Sequence, residues 1–199
     1  MLSTRFSLLA LVLVSTSAEL TIAQTAPEFP VSVQLQTVDG KNFDSKMFAT
    51  DKELLIIDFW NRSCAPCVDA FNKFRDNYDT LIKKTQATII AVAVQKQDEA
   101  TLKLIDKEKW PFKVYFDTNT ELYKALSRWY QPGTVEVAFP AMYIFDKTNK
   151  MLTRVVGSKL KVKEGVYPPE QDDHQLRYDE VLEIDMEAYY AIFEAVRKQ

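Results

Sequence analysis

The sequence of 199 residues is long enough for one domain with a sizeable core, and its 47% hydrophobic and 27% charged residues are ordinary for a soluble globular protein. The net charge of −3 leaves no basic surplus that could neutralise phosphates, which argues against a nucleic-acid-binding protein. Neither figure identifies a partner or a reaction.

The N-terminus has the pattern of a signal peptide. Arg5 supplies a positive charge, residues 6–14 form an apolar run, and small residues follow, with plausible cleavage sites after Ala18 or after Ala23. This run is too short to cross a bilayer comfortably, because a spanning helix needs about 20 apolar residues, although an uncleaved signal anchor is the alternative. We therefore predict a signal peptide over residues 1–23, a periplasmic or otherwise exported protein, and one domain over residues 24–199.

The rest of the chain alternates between strand patterns and helix patterns. Residues 31–43 have a two-residue period around an Asp39–Gly40 turn, as in a hairpin, and residues 53–60 are an almost continuous apolar run, as in a strand covered on both faces. Apolar residues spaced by three and four from Val68 to Ile82 predict a helix of about five turns. The later elements are predicted as strand 87–94, helix 98–109 with Asp98 as N-cap, strand 112–117, helix 120–129 with Asn119 as N-cap, a hairpin over 141–146 and 150–157, and helix 185–199.

This order predicts an α/β fold in which helices flank a central parallel or mixed sheet, with an N-terminal β-hairpin. Residues 158–181 show no clear period, and we predict them to be an inserted loop. Within it, Tyr167 and the two prolines that follow are a candidate docking loop for a partner. The acidic residues around His174 are interpreted as a solvated charge cluster rather than a metal site.

Cys64 and Cys67 are the only cysteines of the chain, and they lie where the buried strand gives way to the predicted helix. Unpaired amides and the positive end of the helix dipole at such a place stabilise a thiolate, which is the reactive form of the side chain. Pro66 is compatible with a first helical turn, because the N–H that proline lacks has no partner there. This pattern favours thiol–disulfide exchange.

Three other roles for the cysteine pair compete with redox chemistry. A purely structural disulfide would close so short a loop that it removes little unfolded-chain entropy, whereas a 15-residue loop is worth about 3 kcal/mol. A zinc site needs four ligands, and the chain offers two cysteines and the single, distant His174. Two thiolates can hold Cu(I), but no methionine or histidine lies close to them in the sequence. We expect no metal and no soluble cofactor.

The segment IIDFWNRSCAPC (56–67) resembles the active-site segment of thioredoxin-fold oxidoreductases, and it is most similar to thioredoxin and the exported TlpA/ResA-type disulfide reductases. The segment AFPAMYIFDKTNKML (138–152) resembles the cis-proline strand and hairpin of the same family. The resemblance implies a thioredoxin-like fold with a central mixed sheet flanked by helices. It also implies that Cys64 is the attacking thiol, Cys67 the resolving thiol and Pro140 the cis-proline, for which a plain strand-entry proline is the alternative.

The resemblance gives roles to neighbouring residues as well. Asp58 occupies the position of thioredoxin's buried acid, and a carboxyl behind Cys67 can take the proton of that thiol; an ordinary strand-end acid is the alternative. Trp60 is expected beside the site, where a purely core role fits equally well. The other residues expected to contact the substrate are Ala65, Pro66 and Phe139.

The resemblance therefore predicts an exported thiol–disulfide oxidoreductase that reduces disulfides of client proteins and receives its electrons from an upstream, membrane-bound dithiol. Pro66 is the residue that favours a reductase over an oxidase or isomerase. Ser63, Val68 and Phe139 replace the usual tryptophan, basic residue and Thr, Val or Ile, so the docking surface and the redox potential are expected to differ from those of relatives. A Cu(I)- or thiol-binding accessory protein is the alternative outside the enzyme class.

Overall fold

The computed structural model of the protein describes residues 29–133, 137–164 and 182–198. The predicted signal peptide, residues 1–23, lies outside the described residues. Seven strands form one sheet, and they are β1 (Gln34–Thr37), β2 (Asn42–Asp44), β3 (Leu54–Trp60), β4 (Ala87–Ala93), β5 (Lys113–Phe116), β6 (Ala141–Asp146) and β7 (Met151–Val156).

The order of strands across the sheet is β2-β1-β5-β4-β3-β6-β7. Strands β3, β4 and β5 are parallel, and the remaining pairs are antiparallel, so the predicted mixed sheet is confirmed. The predicted N-terminal hairpin is confirmed as β1 and β2, and Gly40 adopts a φ of 78° in its turn. Only glycine takes up that left-handed backbone without a steric penalty.

Helices cover both faces of the sheet. They are α1 (Ala65–Asp76), α2 (Tyr78–Thr85), α3 (Glu99–Glu108), α4 (Glu121–Tyr130) and α5 (Met186–Arg197). Every residue of β3 is buried: Leu54, Ile56 and Trp60 join the core beneath α1 and α5, and Leu55, Ile57 and Phe59 join the core beneath α4. Burial on both faces explains why this strand is almost continuously apolar.

The helix predicted from Val68 to Ile82 is two helices in the structure. α1 ends at Asp76 and α2 begins at Tyr78, with Asn77 between them at φ −117°. The side chain and the backbone N–H of Asn77 both donate to the carbonyl of Lys73, at 2.9 and 3.1 Å. Asparagine competes for backbone groups in this way and so interrupts helices. The apolar spacing continues across the break, which is why the pattern alone did not reveal it.

The predicted N-cap of α4, Asn119, was also wrong. The carboxylate of Asp117 accepts the amides of Glu121 and Tyr123, at 2.9 and 3.0 Å, and Thr120 adopts a left-handed φ of 59° before the helix begins. Asp117 is buried, and burial raises the pKa of its carboxyl although these amides oppose the shift. For α3, in contrast, the predicted cap is confirmed, because the side chain of Asp98 accepts the amide of Thr101 at 2.7 Å.

The stretch predicted as an inserted loop, residues 158–181, contains a strand at its start. β8 (Leu160–Val162) pairs antiparallel with β9 (Leu182–Ile184), which forms a second, two-stranded sheet. Leu160 and Ile184 pack into the core beneath α1 and α5. Residues 165–181, including Tyr167 and His174, lie outside the described residues. Within the parts of the chain that the structure describes, no helix combines the length and apolar character of a membrane span.

Candidate redox site

A tight turn carries the chain from the end of β3 into α1. The side-chain oxygen of Asn61 accepts the amide of Ser63 at 2.9 Å, and its backbone carbonyl accepts the amide of Cys64 at 3.1 Å. The amide of Arg62 donates to the side chain of Gln95 at 2.7 Å. These bonds fix the backbone just before the first cysteine, so its place does not depend on packing of its own side chain.

Cys64 is the N-cap residue of α1, and Cys67 lies in the first turn. The two form a disulfide with their Cα atoms 5.3 Å apart. Cys64 is half-buried and Cys67 is fully buried, so only the first sulfur is open to a second molecule. Ala65 is exposed and Pro66 is half-buried beside it. A dithiol–disulfide pair in this arrangement can accept and release two electrons.

Asp58 lies on β3 between Ile56 and Trp60, two members of the core that also contains Cys67. Its carboxyl is fully buried, and neither oxygen has a hydrogen-bond partner among the described residues. Burial without compensation disfavours the charged form and raises the pKa of Asp58 to about 8. A carboxyl in this condition holds its proton at neutral pH and releases it only slightly above, which suits an acid–base role.

Trp60 is completely buried, so in this structure it supports α1 from below and is not exposed to a client. Its ring makes edge-to-face contacts with Phe71 of α1, at a centroid distance of 5.7 Å, and with Trp110, at 5.1 Å. The core role that the sequence left open for Trp60 is therefore the one that its contacts support.

Pro140 lies at the start of β6, and the Phe139–Pro140 peptide bond is cis, the geometry that the resemblance implies. Because Phe59 pairs with Ala141, Pro140 is level with Trp60, at the end of β3 from which the chain proceeds to Cys64. Pro140 is buried and Phe139 is half-buried. Phe139 packs against the same core as Cys64, so the structure brings these two predicted site residues to one end of the sheet.

Two successive residues after β7 connect this loop with the cysteines. The amide of Gly157 donates to the carbonyl of Pro140 at 2.9 Å, and the hydroxyl of Ser158 donates to the carbonyl of Pro66 at 3.3 Å. The sequence analysis did not identify Ser158, because nothing near it in the chain indicates that contact.

Gln95 and Tyr123 were also missed by the sequence analysis. Gln95 follows β4, whose carboxyl end lies beside that of β3 in the parallel part of the sheet, so its position relative to Arg62 could have been inferred. In the sequence, Tyr123 fits the apolar face of the predicted helix and has no other distinguishing feature. Its hydroxyl bonds residues that lie far from it in the chain, so the sequence could not reveal its role. Among the described residues, no three His, Cys, Asp or Glu side chains come together to hold a metal ion.

Comparison with known proteins supports this description. The sequence profile of the AhpC/TSA family matches residues 22–153. None of the curated proteins with which the sequence was compared matches it. The fold is similar to the solution structure of an uncharacterised thioredoxin-like protein from Porphyromonas gingivalis, with 22% identity, a TM-score of 0.53, and coverage of 66% of this chain and 82% of that one.

Two further solved structures share the fold. A candidate thioredoxin from Neisseria meningitidis is 16% identical with a TM-score of 0.54, over 87% of this chain and 92% of that one. A candidate thiol:disulfide interchange protein DsbE from Chlorobium tepidum is 18% identical with a TM-score of 0.50, over 66% and 84%. At such identities the likeness shows the fold, which is thioredoxin-like.

Proposed function

Because the chain belongs to the AhpC/TSA family and carries the Cys64–Cys67 pair on a thioredoxin-like fold, we propose that it is an exported thiol–disulfide oxidoreductase that reduces disulfides of client proteins. The observation that carries the proposal is the unequal access to the two sulfurs. Cys64 lies half-buried at the start of α1, and Cys67 is fully buried one turn below it.

The reduction proceeds by two exchanges at sulfur. The thiolate of Cys64 attacks a client disulfide, a mixed disulfide forms, and the first client sulfur leaves as a thiolate. Cys67 then loses its proton to the ionised form of Asp58, which accumulates as the pH approaches about 8, and attacks the sulfur of Cys64. This closes the Cys64–Cys67 disulfide and releases the second client sulfur. The client gains two electrons and the enzyme loses two. A separate dithiol must reduce the enzyme again, and we propose that it is membrane-bound.

Two features of the sequence support the finer parts of this proposal. Residues 1–23 have the pattern of an export signal, which supports the proposal that the enzyme is exported. The Ala65–Pro66 dipeptide is similar to that of reducing members of the thioredoxin-fold family. We propose that Pro140 and Phe139 form the loop on which the client backbone docks, with Ala65 and Pro66 beside the exchanged sulfur.

Trapping of clients tests the proposal directly. We expect Cys67→Ser, expressed with its leader, to accumulate covalent adducts with exported proteins, because the mixed disulfide at Cys64 then has no resolving thiol. Dithiothreitol should release the clients, and Cys64→Ser should form no adducts. We expect the redox potential of the Cys64–Cys67 pair to be about −270 mV if the protein is a reductase, whereas a potential of about −120 mV would make the protein an oxidant.

Two other results would contradict the proposal. A Cys67→Ser variant without adducts, in a protein that binds Cu(I) tightly, would point to an accessory carrier. Oxidation of the dithiol by hydrogen peroxide much faster than by any disulfide would mean that the thiolate is oxidised through a sulfenic acid and that clients are not its substrate.

A further inference from the structure

The side chain of Tyr123 attaches the loop that carries Phe139 and Pro140 to α4. Tyr123 is fully buried, and its ring contacts Phe59 edge-on at a centroid distance of 5.1 Å and Phe139 at 5.8 Å. Aromatic contacts on both sides fix the direction of the ring. The hydroxyl group therefore has a defined position beside the loop.

That hydroxyl makes hydrogen bonds with both backbone groups of Ala138. It accepts the amide of Ala138 at 3.0 Å and donates to the carbonyl of Ala138 at 3.3 Å. A hydroxyl can do this because it has one proton to donate and two lone pairs that accept. Both polar groups of the residue before Phe139 are thus held by one oxygen atom.

Arg154 of β7 orients the hydroxyl. Its Nη2 donates to the oxygen of Tyr123 at 3.0 Å, and its guanidinium lies over the ring of Tyr143, 5.4 Å from the centroid. A guanidinium only donates hydrogen bonds, so the tyrosine oxygen must accept from it. The hydroxyl proton is thereby directed away from Arg154 and can be donated to the Ala138 carbonyl.

The loop is consequently fixed from two directions. On one side Tyr123 holds Ala138, and on the other the amide of Gly157 holds the carbonyl of Pro140 at 2.9 Å. Phe139 lies between these attachments and packs both on the ring of Tyr123 and against the core on which Cys64 also packs.

We propose that Tyr123 is a positioning residue for client binding: its hydroxyl, oriented by Arg154, fixes residues 138–140 in the conformation on which a client disulfide docks. This inference rests on the proposed function. Tyr123 acts on the client only through the loop, so its loss weakens the binding of an extended protein substrate. A small disulfide, which needs Cys64 but little of the loop, is reduced as before.

The test compares Tyr123→Phe with Tyr143→Phe. Both tyrosines are fully buried, but the Tyr143 hydroxyl bonds that of Ser127, at 2.5 Å, rather than Ala138. We expect Tyr123→Phe to raise KM for the reduction of insulin about tenfold, the effect of one or two lost hydrogen bonds, with kcat changed less than about twofold. The rate with the small disulfide 5,5′-dithiobis(2-nitrobenzoic acid) and the redox potential should stay unchanged, and Tyr143→Phe should leave KM for insulin unchanged.

Amide hydrogen exchange supplies a second readout that does not depend on activity. The amide of Ala138 should exchange about tenfold faster in Tyr123→Phe than in Tyr143→Phe, because its acceptor is gone. If Tyr123→Phe does not fold, Arg154→Met provides the same comparison, with a smaller rise in KM.

Equal effects of the two tyrosine variants on KM, or unchanged exchange at Ala138, would overturn the inference. If the unaltered enzyme reduces neither insulin nor the small disulfide, the proposed function is wrong, and the exchange comparison alone then decides whether Tyr123 holds the loop.

Discussion

Asp58 shows how the surroundings of one residue change its chemistry. Its carboxyl is buried without a partner among the described residues, and burial raises its pKa to about 8. A base with that pKa becomes effective as the pH rises through about 8, because its proton-accepting form then accumulates. We expect Asp58→Asn to slow the attack of Cys67 on a mixed disulfide at Cys64 by about a hundredfold at pH 8 and to remove the corresponding inflection. Single-turnover resolution of a preformed mixed disulfide, followed across this pH range, checks the prediction.

Asp76→Asn is the matched control, because it changes an exposed carboxylate at the far end of the same helix. An inflection that persists in Asp58→Asn would show that the ionisation of Cys67 itself governs the rate. The position of Asp58 could be predicted from the resemblance, but its isolation could not. Its partners in register on the neighbouring strands are Ala91 and Met142, which offer no polar side chain, and that pairing exists only in the folded sheet.

At the scale of elements, the start of α4 depends on a residue that precedes it by a whole turn. Asp117 is buried and accepts the amides of Glu121 and Tyr123 with its two oxygens. We expect Asp117→Ala to lower the free energy of unfolding by about 2 kcal/mol, because buried amides lose their acceptors. Asn119→Ala, at an exposed position nearby, should change it by less than about 0.5 kcal/mol. Urea denaturation of both variants measures the difference, and similar losses would contradict this account.

The elements themselves were predicted well where a strong apolar period was available. The hairpin, the buried strands β3 and β4, and α3 with its Asp98 cap all follow from local spacing. The break at Asn77 and the cap of α4 do not, because both depend on where a side chain finds a backbone partner. Thr120, which lies between Asp117 and the first residue of α4, has a left-handed backbone conformation. A threonine in the sequence gives no indication of that conformation.

At the scale of the whole molecule, the raised pKa of Asp58 makes the free energy of unfolding depend on pH. Below about pH 4 the carboxyl of Asp58 is protonated in the folded and the unfolded chain alike, given its ordinary pKa of 3.8. Between about pH 4 and about pH 8 only the unfolded chain releases the proton, so the free energy of unfolding falls as the pH rises. Asp58→Asn should therefore stabilise the protein at pH 7, by on the order of 4 kcal/mol, and by little near pH 4. Thermal unfolding of both proteins across this range measures the effect, and a difference independent of pH would exclude this explanation.

The layered architecture could be predicted as a whole because its cause is visible in the sequence. A strand buried on both faces, such as β3, requires helices on both sides. The small sheet of β8 and β9 could not be predicted in the same way. Its strands have three residues each, and Ile184 is the one buried residue among the six. The two strands also come from segments that lie far apart in the chain.

Gly157 and Ser158 donate hydrogen bonds to the carbonyls of Pro140 and Pro66. An insertion or deletion between these two donors would therefore disturb the site. Gly157 and Ser158 are consecutive residues, so a single peptide bond sets the distance between the two groups that hold Pro140 and Pro66. Adding one residue there would separate the two hydrogen-bond donors without changing either cysteine. The length of the chain at 157–158 is thus as much a part of the redox site as the spacing of the cysteines.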